Sequence, residues 1–206
     1  MSMSIKQFDA KVNYIQMEFE RKYPNSTASP FALKLKKRRR VFENYKASCV
    51  IDLINETGHS YDWWIMLKRI NGVLCLNTYR YSVQTAKHIA KARQVLNLMG
   101  VEYTEIEAPG GLQDIESAVR HAAYEIGKAT VRSEVARVPR QWDLDRARDL
   151  IFNLKRIEVY VTKQQLDSGY SWALKNRRER LDRIKANKLR RAGSLLQLAI
   201  QNKLAG

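Results

Sequence analysis

Trp63-Trp64-Ile65-Met66-Leu67-Lys68-Arg69-Ile70-Asn71-Gly72-Val73-Leu74-Cys75-Leu76 is the stretch whose reading decides the fold. Two runs rich in aromatic, β-branched and aliphatic residues flank Asn71-Gly72, a pair that tolerates the positive φ a two-residue type I′ turn demands. The segment is predicted to be an antiparallel hairpin. Adjacent residues on a strand face opposite ways, so one of Trp63 and Trp64 enters a core and the other faces a covering helix or solvent.

Toward the C-terminus, Ser82 can cap a helix whose apolar positions Val83, Ala86, Ile89, Ala90, Val95, Leu96 and Met99 share one broad face, with Gly100 suited to end it. Residues 101–106 then alternate as a strand does, which gives the order β-β-α-β. Pro109-Gly110-Gly111 breaks the chain before a further amphipathic helix through Leu112, Ile115, Ala118, Val119, Ala122, Ile126 and Ala129, a region that Pro139 closes. Leu144, Ala147, Leu150, Ile151 and Leu154 recur at helical spacing after Asp143, while Ile157, Val159 and Val161 leave strand and continued helix both open. From Leu166 to Leu204 the chain lacks proline and favours helix, with a thin seam of Leu174, Leu181, Ile184, Leu189, Ala192, Leu196 and Ala199 and a candidate interruption at Gly193-Ser194.

Toward the N-terminus, residues 5–23 fit a helix stopped by Pro24-Asn25-Ser26. Ser29-Pro30 resembles an N-cap followed by proline at the first helical position, and predicts a second helix from about Pro30 to Tyr45, with 47–54 prolonging it or forming a strand. The expected fold is α+β: a small, mainly antiparallel sheet from residues 62–77 and 101–107, packed with helices. The expected division is a core at 1–140 that includes a basic N-terminal helical segment, and a basic, mainly helical region at 141–206.

The 206 residues carry 37 Lys and Arg against 21 Asp and Glu, a formal net charge of +16. Hydrophobic residues are 45% of the chain, which argues against disorder over its length. The excess charge is concentrated. Lys34, Lys36, Lys37, Arg38, Arg39 and Arg40 fill six of seven positions, and Lys175, Arg177, Arg178, Arg180, Arg183, Lys185, Lys188, Arg190 and Arg191 face only Glu179 and Asp182. Such a field selects polyanionic partners, and its clustering exceeds what solubility requires.

Between these segments, Tyr79-Arg80-Tyr81-Ser82 with Thr85 joins aromatic and cationic groups to a helix N-terminus, where free N–H groups and hydroxyls suit a phosphate. If that stretch is extended, Tyr79 and Tyr81 lie on the same side as platforms for unstacked bases. The competing reading has the tyrosines packing the sheet edge and Ser82 acting only as a cap. His88 is expected at the surface or half-buried.

The expected nucleic-acid-binding residues are therefore Lys34, Lys36, Lys37, Arg38, Arg39, Arg40, Tyr79, Arg80, Tyr81, Ser82, Thr85, Lys175, Arg177, Arg178, Arg180, Lys185, Lys188, Arg190 and Arg191. RNA or single-stranded DNA is slightly favoured over duplex, since aromatic residues adjoin basic ones and no helix-turn-helix pattern is evident. The alternative is an adaptor or inhibitor that docks its basic surface on an acidic protein or nucleoprotein complex. A third reading, a metal-dependent nuclease, would draw on Asp52, Glu56, Asp62, Glu102, Glu105 and Glu107. No catalytic residue, metal or cofactor is expected: no phosphate-binding glycine motif is present, and Cys49, His59, Cys75 and His88 lack the paired spacing of zinc ligands. Cys49 and Cys75, each among apolar neighbours, read as buried thiols. With no signal-like apolar segment, the chain is expected to be soluble and cytoplasmic, without integral membrane association.

Overall fold

The computed structural model describes residues 2–135 and 141–204, with side chains described as far as Arg191. The protein is α+β, a seven-stranded sheet flanked by helices. Helix α1 (Ile5–Lys22) is opened by a capping box in which Ser4 Oγ accepts from Gln7 N–H and the Gln7 side chain accepts from Ser4 N–H. Strands β1 (Lys34–Lys36), β2 (Val41–Glu43), β3 (Cys49–Asp52), β4 (Thr57–Ser60), β5 (Trp64–Ile70) and β6 (Val73–Asn77) follow, each antiparallel to the one before. Helix α2 (Val83–Met99) then crosses over and β7 (Thr104–Ile106) pairs parallel to β6. Helices α3 (Ile115–Val135), α4 (Gln141–Arg156) and α5 (Lys163–Leu204) complete the chain.

The hairpin forms as expected: Ile70 pairs with Val73, and Asn71 and Gly72 take φ of 47° and 80°, the left-handed pair of a type I′ turn. Trp64 is buried in the sheet while Trp63, just ahead of the strand, stays more than half exposed. The Ser82 cap, helix α2 and left-handed Gly100 at its end (φ 62°) also match expectation.

The helix expected over 30–45 is instead the hairpin β1–β2. Ser29 Oγ accepts from Phe31 N–H, a local turn rather than a helix start. Phe31, Leu33 and Leu35 then alternate inward with period two, and the Phe31 ring lies 5.0 Å from that of Phe42 across the hairpin. Core packing outweighed the helical reading of the basic run. The sheet is accordingly far larger than residues 62–77 and 101–107. Residues 157–162 form neither strand nor helix but the link from α4 to α5, and α5 runs as unbroken helix through Gly193-Ser194. Pro139 and the side chains of Ala192, Leu196 and Ala199 lie outside what is described.

Side chains alternating along β5 and β6 feed two cores. On one face Trp64, Met66, Leu74 and Leu76 meet α1 and α2 through Phe8, Val12, Ile89, Val95 and Leu96. On the other, Cys75 and Ile106 meet α3 and α4 through Ala118, Val119, Ala122, Leu150 and Leu154. Helix α4 thus closes the second core, so the sheet and the chain beyond residue 140 share packing. Helix α5 lies on α3 where Ala123 and Gly127 oppose Gly169: a Cβ on Gly127 would stand 2.6 Å from Tyr170 N and 2.7 Å from the Gly169 carbonyl oxygen. Only glycine permits backbones this close.

Candidate nucleic-acid interface

Strands β6 and β7 are parallel neighbours whose following helices leave to opposite faces, α2 to one core and α3 to the other. In open α/β sheets such a divergence, at the carboxyl ends of the strands, is where ligands commonly bind. Buried Asn77 ties the two strand ends together: Nδ2 donates to Ala108 O (2.7 Å), and Oδ1 accepts from Ala108 N–H (3.0 Å) and Tyr79 N–H (3.0 Å). The loop from Tyr79 to Ser82 follows β6 at this end of the sheet.

That loop is not extended. Tyr81 N–H donates to Tyr79 O, a tight turn that sends the two rings different ways. Tyr79 is half-buried, packed on the first core with its ring edge-on to His121 at 5.2 Å. Tyr81 is 61% exposed and stands edge-on to the 56% exposed Trp63, ring centroids 5.6 Å apart. Trp63 is held there through its backbone, because Gln113 donates to Trp63 O (3.0 Å) and accepts from Ile65 N–H (3.1 Å). Tyr61, also exposed, lies 5.7 Å from the ring of His88. Neither Tyr61 nor Trp63 was in the expected set. Both precede β5 in a turn where Tyr61 takes φ 58°, so extended-strand alternation does not govern which way their rings point.

Arg80 is exposed beside these rings. Ser82 Oγ accepts from Thr85 N–H (3.0 Å) and lies 3.0 Å from Thr85 Oγ1, while Thr85 itself is 2% exposed. The expectation that Thr85 meets a ligand is corrected on that ground: its hydroxyl is closed within the cap. The first turn of α2 carries no acidic residue to offset its positive helix end. His88, expected near the surface, is wholly buried, with Nδ1 2.7 Å from Ser60 Oγ and Nε2 2.9 Å from Gln84 Nε2. Burial holds its pKa below the ordinary histidine value, and nearby Lys91 adds to the effect.

The basic run forms the tip of the β1–β2 hairpin at the far edge of the sheet. Seven strands at about 4.8 Å spacing put that edge roughly 29 Å from β7. Its six cations divide by partner. Lys36 (3.5 Å) and Arg39 (3.1 Å) flank the buried carboxylate of Glu43, and Arg40 grips Asp9 of α1 with two nitrogens. Lys34, Lys37 and Arg38 are exposed with no ion pair among the described residues.

The third segment begins where α5 leaves α3. Lys175 borders a shallow groove of about 600 Å³ with exposed Trp172, and Arg177 is half-buried. From Arg178 to Arg191, including Arg180, Lys185, Lys188 and Arg190, every side chain is exposed, with Arg190 donating to Asn187. The Tyr124 ring lies 4.9 Å from that of Trp172, one turn along α3 from His121, which touches Tyr79. The central and C-terminal segments are thereby joined across α3, and the N-terminal one is not.

The carboxylates weighed for a nuclease are largely engaged: Asp52 Oδ1 accepts from Ile54 and Asn55 N–H, Glu56 pairs with Arg69, and Glu105 accepts from Arg93 at 2.6 and 2.8 Å. Burial acts to raise the Glu107 pKa, but the hydrogen bond from His121 and the Arg146 guanidinium prevail and hold it below the usual range. Among the described residues no three His, Cys, Asp or Glu side chains are placed to share a metal ion. Both thiols are buried; their desolvation pushes Cys49 up to about 12 and Cys75 up to about 11, far from a reactive thiolate. A groove of about 1360 Å³ lies at the other end of α2, where Glu56 and Glu102 stand with Lys11, Arg69 and Arg156. Among the described residues, no helix is long and apolar enough to cross a membrane.

Comparison with known protein families, curated proteins and solved structures finds no match to this chain.

Proposed function

We propose that the protein binds nucleic acid in the cytoplasm, with phosphates held by Lys and Arg and unpaired bases stacked on exposed rings. The observation that carries this reading is the exposed Trp63–Tyr81 pair, next in the chain to exposed Arg80, at the carboxyl end of β6. Two large rings left in water at a cationic helix N-terminus cost hydrophobic stabilisation that folding alone does not recover. A flat-faced anion, an unstacked nucleotide, satisfies both features at once. RNA and single-stranded DNA expose such bases; an intact duplex does not. Lys34, Lys37 and Arg38 add phosphate contacts at the far edge of the sheet.

The test is binding to matched single-stranded RNA, single-stranded DNA and duplex DNA across a salt series, for the intact chain and for W63A/Y81A. The reading expects affinity that falls steeply with salt and single-strand binding that weakens about tenfold or more in the variant, since stacking is worth about 1–3 kcal/mol per base. Absence of binding to all three at low salt would overturn it and turn attention to an acidic protein, for which nuclease-resistant, stoichiometric capture is the mark.

A further inference from the structure

Among the described residues, helix α5 is anchored along its first part. Gly169 and Ala173 are buried against α3, while residues 178–191 expose every side chain. These fourteen residues span about 21 Å at 1.5 Å per residue. Seven cations stand there against Glu179 and Asp182, and at 100° per residue the two acids share a sector of about 60°. The cations occupy the rest of the circumference. Leu181, Ile184 and Leu189 stand exposed among these charges, and the like charges repel one another. The surface of this stretch complements a polyanion that surrounds it on several sides, as the two phosphate backbones of a duplex groove do.

The groove identifies the nucleic acid. The major groove of B-form DNA, about 12 Å wide, admits a helix, whereas that of A-form RNA is too deep and narrow for side chains to read. About 21 Å of arm covers roughly six base pairs at 3.4 Å each. Exposed Leu181 and Ile184 on the same stretch have apolar partners in that groove, the thymine methyls.

A row of ring contacts leads from the Tyr79–Ser82 loop across α3 toward the root of the arm. Tyr79 touches His121, and Tyr124, three residues further along the same face of α3, touches Trp172 near the root of the arm. We infer that the preferred ligand is DNA at a boundary between duplex and single strand, with the unpaired bases on Trp63 and Tyr81 and the adjoining duplex along residues 178–191 of α5. This rests on the nucleic-acid reading above and specifies its substrate.

Labelled single-stranded DNA, blunt duplex DNA and a duplex with a single-stranded overhang, matched in phosphate number, are titrated with the full chain by fluorescence anisotropy. Linked engagement of two sites should make the overhang probe bind about a hundredfold tighter than either simple probe. In R178Q/R180Q/K185Q/K188Q that advantage should vanish while single-strand binding persists; in W63A/Y81A it should vanish while duplex binding persists. These substitutions lie at exposed positions, and thermal melting will show that the variants are folded. An overhang probe no tighter than the better simple probe would overturn the inference while leaving nucleic-acid binding in place. An RNA duplex with the same overhang binding equally well would overturn its assignment to DNA. Failure of every probe to bind would overturn the underlying reading itself.

Discussion

Ser60 Oγ and His88 Nδ1 lie 2.7 Å apart with both residues wholly buried, so a single polar contact fastens α2 to strand β4 inside the first core. Burial keeps the imidazole neutral by lowering its pKa. In the unfolded chain His88 regains a pKa of about 6.5 and takes up a proton more readily. The stabilisation is therefore complete above that pH and declines as pH falls toward the lower folded value. Thermal melts from pH 8 to pH 5 should show a falling midpoint, and His88→Gln should flatten the fall while lowering the midpoint at pH 8. A variant as pH-sensitive as the parent would refute the assignment.

Gly169→Ala and Gly127→Ala should each lower stability by about 1–3 kcal/mol, the cost of overfilling a packed contact. Helix propensity points the other way, since alanine is ordinarily favoured over glycine by about 1 kcal/mol within a helix. The sign of the change in urea midpoint therefore decides between close packing and a loose α3–α5 contact.

The cations of the β1–β2 hairpin should separate into two classes. K34A/K37A/R38A is expected to weaken nucleic-acid binding and to reduce the salt slope by about two to three, at roughly 0.7–0.9 per phosphate contact, with stability changed by less than about 0.5 kcal/mol. Glu43→Ala removes the buried partner of Lys36 and Arg39 and should instead lower the melting temperature. Equal effects of both variants on melting would refute the division.

Amide exchange should divide α5 as its burial does. Residues 163–176, docked on α3, should be protected, and residues 178–191, whose side chains are all exposed, should exchange faster. Added nucleic acid is expected to slow exchange in the second group and leave the first unchanged. Uniform protection along the helix in the free protein would contradict this.

What was legible in the sequence follows from turn chemistry. The β5–β6 hairpin announced itself because Asn71 and Gly72 occupy its left-handed positions. Of the four earlier strands, β3 lies within residues 47–54, which the sequence left open between helix and strand; the others gave no sign, and the turns put Arg40, Ala47, Glu56 and Tyr61 at φ between 51° and 58°, residues that carry no turn signal. Each of those strands is only three or four residues long, too short for periodicity to outvote a plausible helix cap at Ser29-Pro30. Helices α2 and α3 were readable from their apolar spacing and, for α2, its caps. At the candidate site the charge clusters were visible at once, but the exposed Trp63–Tyr81 pair was not, since exposure is set by the Gln113 clamp fifty residues away.

In the sheet every strand lies beside its neighbour in the chain, in the order β1 to β7 without exception. Each pairing up to β6 closes a loop of only a few residues, so little chain entropy is spent before contacts repay it. The sheet can therefore be laid down strand upon strand as a ribosome delivers it. Only the seventh strand must wait for α2 to cross over, and with it the paired strand ends beside which the proposed binding is placed. Assembly and function share that last step.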